Sequence, residues 1–287
     1  MIKQHIKEAI AKYFFIMAAA TSIVSVLFIC VFLFSGGIPA MSSIGIFKFL
    51  FGTEWSPSDI PPSFGILPMI MGSILITTGA IILGVPIGIL SAVFMARFCH
   101  KSAYKIIKPC VDLLAGIPSI VYGFFGMIVL IPLVKSIFGG NGNSILTASI
   151  LLAIMILPTV IGITESALKA VPNTYYEGAL ALGASHERSV FFIIIPAAKS
   201  GIAAAIVLAI GRAIGETMAV VMVAGNQARM PTGLTNGIRS LTSNIVLEMG
   251  YAADLHREAL ISCGVVLFVI ILSVNLILSF IIRRNEG

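Results

Sequence analysis

The chain has 287 residues, of which 58% are hydrophobic and 10% charged, with a mean hydropathy of +1.07 and a net charge of +6. A soluble globular domain carries about 25% charged residues, so this composition excludes one and reads as an integral membrane protein. The positive charge does not read as a nucleic-acid surface, because the basic residues are scattered along short segments with no aromatics between them.

Six apolar stretches are long enough to cross about 30 Å of hydrocarbon at 1.5 Å per helical residue: 13–34, 67–96, 113–134, 145–168, 200–224 and 259–282. The first follows Lys3, Lys7 and Lys12, and its apolar core is too long for a cleaved signal peptide, so a retained anchor helix is expected. Between the first and second spans, Trp55 with Pro57, Pro61 and Pro62 reads as an ordered outer turn, with Trp55 as an interfacial belt residue. The second to fourth spans hold Gly84, Pro86 and Gly88, then Gly116, Pro118, Gly123, Gly126 and Pro132, then Pro158 and Gly162. Such spans are expected to bend and to pack closely.

With both termini in the cytoplasm, twelve basic residues fall on the inner side: Lys3, Lys7, Lys12, Arg97, Lys101, Lys105, Lys108, Lys169, Arg188, Lys199, Arg283 and Arg284. Five fall outside, namely Lys48, Lys135, Arg229, Arg239 and Arg257. Cytoplasmic loops hold the excess of Lys and Arg, so this is the expected orientation.

Between the fourth and fifth spans a loop over about 171–199 interrupts the apolar pattern. Thr174 and Glu177 have capping-box spacing just after Pro172, so a short helix is expected near Thr174. Gly178, Ala179, Ala181, Gly183 and Ala184 give it little side-chain bulk. Another protein could approach closely, and Gly183 can end the helix in a left-handed cap. Glu177, Gly178, Ala179, Gly183, Ile193 and Pro196 spell E-G-A-x3-G-x9-I-x-I-P. This resembles the E-A-A-x3-G-x9-I-x-L-P cytoplasmic loop of permease subunits of ABC-type importers, with Gly178 replacing the usual Ala and Ile195 the usual Leu. The resemblance implies that the loop meets an ATPase subunit.

In the fifth span, Arg212 and Glu216 stand four residues apart within Gly211-Arg212-Ala213-Ile214-Gly215-Glu216-Thr217-Met218, on one face if the helix is continuous. A mid-membrane Arg costs about 2.5–3.5 kcal/mol on insertion scales and normally faces a bundle interior or a water-filled path. Two readings stay open. The pair forms a neutralising salt bridge, or Arg212 offers its fork of donors to a tetrahedral oxyanion while Glu216 limits how tightly that anion is held.

Cys30, Cys99, Cys110 and Cys263 lack metal-ligand spacing, no H-E-x-x-H is present, and a G-x-x-x-x-G-K-[ST] loop is missing. The sequence therefore offers no catalytic residue and no metal site, and energy from ATP has to come from elsewhere.

The runs Ala115-Gly116-Ile117-Pro118-Ser119-Ile120-Val121-Tyr122-Gly123 and Gly211 to Val220, with Gly225-Asn226, are similar to those of the C-type permeases of phosphate importers, the PstC family. The likeness to the partner permeases, PstA, is weaker. The resemblance implies an all-α fold of six transmembrane helices, the type I ABC importer permease (MetI-like) fold. Residues 1–66 would form an N-terminal transmembrane helix and first external segment, and residues 67–287 the permease domain. It further implies half of a phosphate pathway working by alternating access in the cell membrane. The partners would be a PstA-type permease, two PstB-type ATPase subunits holding ATP and Mg, and an extracytoplasmic PstS-type phosphate-binding protein. A permease for another oxyanion or solute, and an ion-gradient-driven secondary transporter, are the alternatives.

Overall fold

A computed structural model describes the backbone of residues 2–284 and the side chains of residues 11–280. Lys3, Lys7, Arg283 and Arg284, used above for orientation, have side chains outside that range.

The chain opens with a 43-residue helix, α1 (Ile2–Ile44), whose side chains at 11–29 are all exposed. It meets the rest through its second half, where Gly37 lies so close to the last helix that a Cβ would stand 2.6 Å from Val265 Cγ2. The Ser262 hydroxyl donates to the Gly37 carbonyl at 2.8 Å, and the Phe34 and Phe268 rings meet edge to face. Small residues that let two backbones approach are the usual means of helix association in lipid.

A short helix α2 (Ile46–Phe51) and a two-residue hairpin, β1 (Trp55–Ser56) with β2 (Ser63–Phe64), lead into α3 (Leu67–Val93). This helix runs on through a π turn at Phe94–Phe98 to α4 (Lys101–Gly116). Then come α5 (Ser119–Phe125), a π turn at Gly126–Leu130, and α6 (Ile131–Phe138). The fourth span is α7 (Ile145–Ala170), capped by Ser144, whose hydroxyl accepts from Thr147 N.

Beyond it lie α8 (Asn173–Ala181), α9 (His186–Ser189), a third π turn at Val190–Ile194, and α10 (Ile195–Ala197). The chain closes with α11 (Lys199–Ile214), α12 (Met218–Val223), α13 (Leu241–Glu248) and α14 (Asp254–Arg284).

Among the described residues, five helices are long and apolar enough to span a membrane: Ala11–Ile44, Leu67–Phe98, Ser119–Phe138, Ile145–Ala170 and Asp254–Phe280. A sixth span arises if His186–Ala197 and Lys199–Ile214, which meet at 67°, count as one. Two of the six expected spans differ in form. The stretch 113–134 is cut at Ile117-Pro118, where the extended backbone that proline imposes ends α4 and starts a new helix. The stretch 200–224 is cut at Gly215–Thr217, so it is not one helix.

The center of the bundle is α3 against α7. A Cβ on Gly84 would stand 2.9 Å from the Ala153 carbonyl, and one on Gly88 2.7 Å from Val160. The glycine-bearing turns of α3 therefore accept α7 at backbone range, and Ile76, Ala80, Leu152, Ile156 and Val160 fill the seam. A second core at the α13 end gathers Phe49, Trp55, Phe64, Met69, Leu241, Leu260 and Cys263. Trp55 is only 7% exposed there, which corrects the expectation of a belt residue. Its indole finds a buried acceptor, and an amphipathic ring with a satisfied N–H is stable in a core.

Candidate functional site

Two regions carry the residues singled out from the sequence. The first is α8 with the turn that follows it. The chain enters from Pro172, whose extended conformation is at the N-cap, and no side chain caps the helix. The expected capping box between Thr174 and Glu177 is absent, because Thr174 sits inside the helix and not before it.

The end of α8 does form as expected. Gly183 has φ +84°, Gly183 N donates to Leu180 O at 2.9 Å, and Ala184 N donates to Ala179 O at 3.1 Å. These two bonds make a Schellman cap. Ala179 is buried, whereas Glu177, Gly178 and Ala181 are exposed and a Cβ on Gly178 would meet nothing within 4 Å. Leu182, 91% exposed at the tip, completes a small, partly apolar knob that sequence reasoning did not single out. Its signal was an apolar residue placed just before a glycine cap. Ile193 and Pro196 are exposed on the returning arm of the loop, and Ile194 between them is fully buried.

The second region is the break in the fifth span. After Ile214 the chain leaves the helix at Gly215 and re-enters at Met218, so Arg212 and Glu216 do not share a helix face. This overturns the i,i+4 geometry and the salt bridge built on it. Glu216 instead uses Oε1 to accept from Thr217 N at 3.1 Å and Ala219 N at 3.3 Å, acting as the cap of α12. A carboxylate at that place satisfies N–H groups that the break would leave orphaned, and it lies at the positive end of the helix dipole. The Thr242 hydroxyl donates to the Glu216 carbonyl at 2.9 Å and ties the break to α13.

Arg212 is exposed, and its Nη1 donates to Thr159 Oγ1 on α7 at 3.2 Å. Thr159 is a second residue that sequence reasoning passed over, since a lone threonine in an apolar span gives no signal. A Cβ on Gly211, the residue before Arg212, would meet nothing within 4 Å, and neither would one on Gly162, three residues after Thr159 on α7. An exposed guanidinium whose hydrogen-bond partner among the described residues is one neutral hydroxyl keeps most of its donors free for a planar or tetrahedral oxyanion. No group of three or more His, Cys, Asp or Glu that could hold a metal occurs among the described residues.

Residues 84–287 match the family described as binding-protein-dependent transport system inner membrane component. The chain belongs to that family. It is 34% identical to the probable ABC transporter permease protein YqgH of Bacillus subtilis, over 86% of this chain and 81% of that protein. It is 35% identical to the phosphate transport system permease protein PstC of Mesorhizobium japonicum, over 90% and 85%. The PstC of Pasteurella multocida is 30% identical over 88% and 85%.

Among solved structures, an inward-facing MetNI methionine ABC transporter matches with a TM-score of 0.62 at 19% identity, over 76% of this chain and 95% of that one. A bacterial alginate ABC transporter matches with 0.66 at 15%, over 94% of each. At such identities these two show the fold alone: the all-α, multi-pass fold of MetI-like permeases. The chain is thus a membrane component of a transport system and not an enzyme.

Proposed function

We propose that this chain is the C-type permease subunit of an ATP-driven phosphate importer and forms half of the transmembrane pathway. The observation that carries the reading is Arg212, exposed beside the break in the fifth span with one neutral hydroxyl as its hydrogen-bond partner among the described residues. The likeness to PstC permeases over most of their length supports phosphate as the anion. Arg212 supplies fixed donors to phosphate oxygens. Glu216 holds the break through Oε1 and leaves its other oxygen to accept from a protonated phosphate oxygen, a group that sulfate lacks at neutral pH.

The distribution of Lys and Arg supports cytoplasmic termini and a cytoplasmic α8. There the knob of Glu177, Gly178, Ala181 and Leu182 receives an ATPase subunit, which supplies ATP and Mg. A PstA-type permease completes the pathway, and an extracytoplasmic PstS-type protein delivers phosphate at the α13 end. Closure of the ATPase pair draws on α8 and changes the side to which the pathway opens.

Uptake of radiolabelled phosphate by cells lacking this chain tests the reading, with wild type or Arg212→Ala restored and excess sulfate or molybdate as competitor. Rescue by wild type that resists the competitors and fails with Arg212→Ala is expected. Uptake that does not depend on the chain, with its partners expressed under phosphate starvation, removes phosphate as the substrate.

A further inference from the structure

We propose that His186 is a positioning residue that ties α8 to the ends of the second and fourth spans, so that displacement of α8 moves those spans. The inference rests on reading α8 as the element a driving subunit moves.

The geometry is a chain of three bonds. His186 Nε2 lies 3.1 Å from the carbonyl oxygen of Arg97, and His186 Nδ1 lies 2.8 Å from the Tyr176 hydroxyl. A carbonyl only accepts, so Nε2 carries the hydrogen. In the neutral ring Nδ1 is then bare, and the Tyr176 hydroxyl donates to it. The Arg97 side chain turns the other way and donates from Nη2 to the Leu168 carbonyl at 2.6 Å, near the C-terminus of α7. One imidazole thus links Tyr176 of α8 to the backbone at the end of α3, and the same residue of that backbone grips α7.

Three further observations fit a connection built for stiffness. The Arg97 carbonyl lies in the last turn of the π segment Phe94–Phe98, and the backbone turns extended at Cys99, so the helix does not continue to take the Arg97 oxygen and His186 meets it. Phe98 and Tyr176 flank the imidazole edge to face, with ring centers at 4.8 and 5.6 Å. Val93, Leu168, Val171, Val190 and Ile194 form an apolar cluster with Tyr176 packed on it. Arg97 Nε is buried with no partner, so the guanidinium is held there at a cost that its carbonyl contact has to offset. Coupling carried by packed side chains and hydrogen bonds between rigid elements is of this kind.

The test uses the assembled complex with its ATPase and partner permease in proteoliposomes. The native cysteines are replaced and a single reporter thiol is introduced by Gly211→Cys, at a position where a side chain fits in open space. His186→Phe keeps the ring packing and removes both hydrogen bonds, and Tyr176→Phe removes one. The readouts are ATP hydrolysis, and the maleimide labelling rate of the reporter thiol with and without ATP and vanadate. With His186 and Tyr176 intact, the labelling rate changes with nucleotide.

The expected result for His186→Phe is ATP hydrolysis within about twofold of the parent complex and a nucleotide-dependent labelling change reduced about tenfold, with Tyr176→Phe intermediate. An unchanged labelling response overturns the proposal. So does loss of hydrolysis in parallel with labelling, which marks a residue needed only for assembly. Neither readout depends on the solute, so failure of phosphate uptake in the wild-type complex would count against the substrate alone.

Discussion

Trp55 donates its indole N–H to Glu248 Oε2 at 2.9 Å, across 193 positions of sequence. The same carboxylate accepts from Arg239 at 2.6 Å and lies 2.9 Å from His256 Nε2, while Arg239 also donates to Asn244 and to the Asn226 carbonyl. One buried glutamate therefore gathers the hairpin, the loop before α13, α13 itself and the start of α14.

Glu248→Ala leaves the Arg239 guanidinium half-buried and without its anion, which costs about 3–5 kcal/mol. Trp55 is the single tryptophan, so its emission reports on this cluster. A red shift and a clearly lower melting temperature in detergent are expected. An unshifted spectrum with unchanged melting would show that the cluster carries no stability.

Two glycines test the packing from opposite sides. Gly88→Ala pushes a methyl against Val160 at the tight seam of α3 and α7, and overpacking of this kind costs about 1–3 kcal/mol. Gly162→Ala enters open space and gains up to about 1 kcal/mol of helix propensity. Melting temperatures should move in opposite directions, and equal shifts would contradict the packing described.

Thr159→Val removes the hydroxyl that accepts from Arg212 and keeps the shape of the side chain. A net hydrogen bond of about 0.5–1.5 kcal/mol corresponds to a change of about 2–10-fold in the uptake constant. Arg212→Lys keeps the charge and loses the fork, so a larger loss is expected from it than from Thr159→Val. Initial-rate uptake at several phosphate concentrations decides the order.

The knob on α8 is tested by Leu182→Asp, which places a charge on a side chain 91% exposed. Folding should be unaffected, since surface changes stay within about 0.5 kcal/mol. Recovery of the ATPase subunit with the tagged permease should fall sharply. Undiminished co-purification would move the docking surface elsewhere.

Lys108 on α4 lies 3.1 Å from Asp112 and 3.3 Å from Glu165. Burial is the largest single influence and disfavors its charge, but the two carboxylates together outweigh it and the Lys108 pKa is raised. The sign follows: a raised lysine stabilises fully below its ordinary value of 10.5 and loses that contribution as pH rises through the folded value. Melting should be insensitive to this group between about pH 6 and 9 and should fall above the ordinary lysine range. Lys108→Met should lessen that alkaline fall, and Lys169, 2.6 Å from the same Glu165 and raised in the same direction, supplies what is left of it.

The spans were legible because apolar length is a property of a local window, and the loop at α8 because its glycine cap and spacing are local too. The break at Gly215–Thr217 was not, since nothing between Ile214 and Met218 forbids a helix in the way proline does. It is stabilised by Glu216 accepting from Ala219 N and by Thr242 of the distant helix α13. Trp55 was misjudged for a related reason, because its acceptor is supplied by Glu248 and no window of sequence contains both. The His186 contacts with Tyr176 and Arg97 are hidden in the same way.

The π turn at Val190–Ile194 carries one residue more than an α-helical turn needs. Each residue of an α-helix advances the direction of its side chains by about 100°. The azimuth at which α10 leaves the loop, and with it the direction in which α11 presents Arg212 to Thr159 of α7, is therefore set by a single surplus residue. Deleting it would leave composition, hydropathy and every motif nearly untouched while rotating the whole fifth span out of phase with α7.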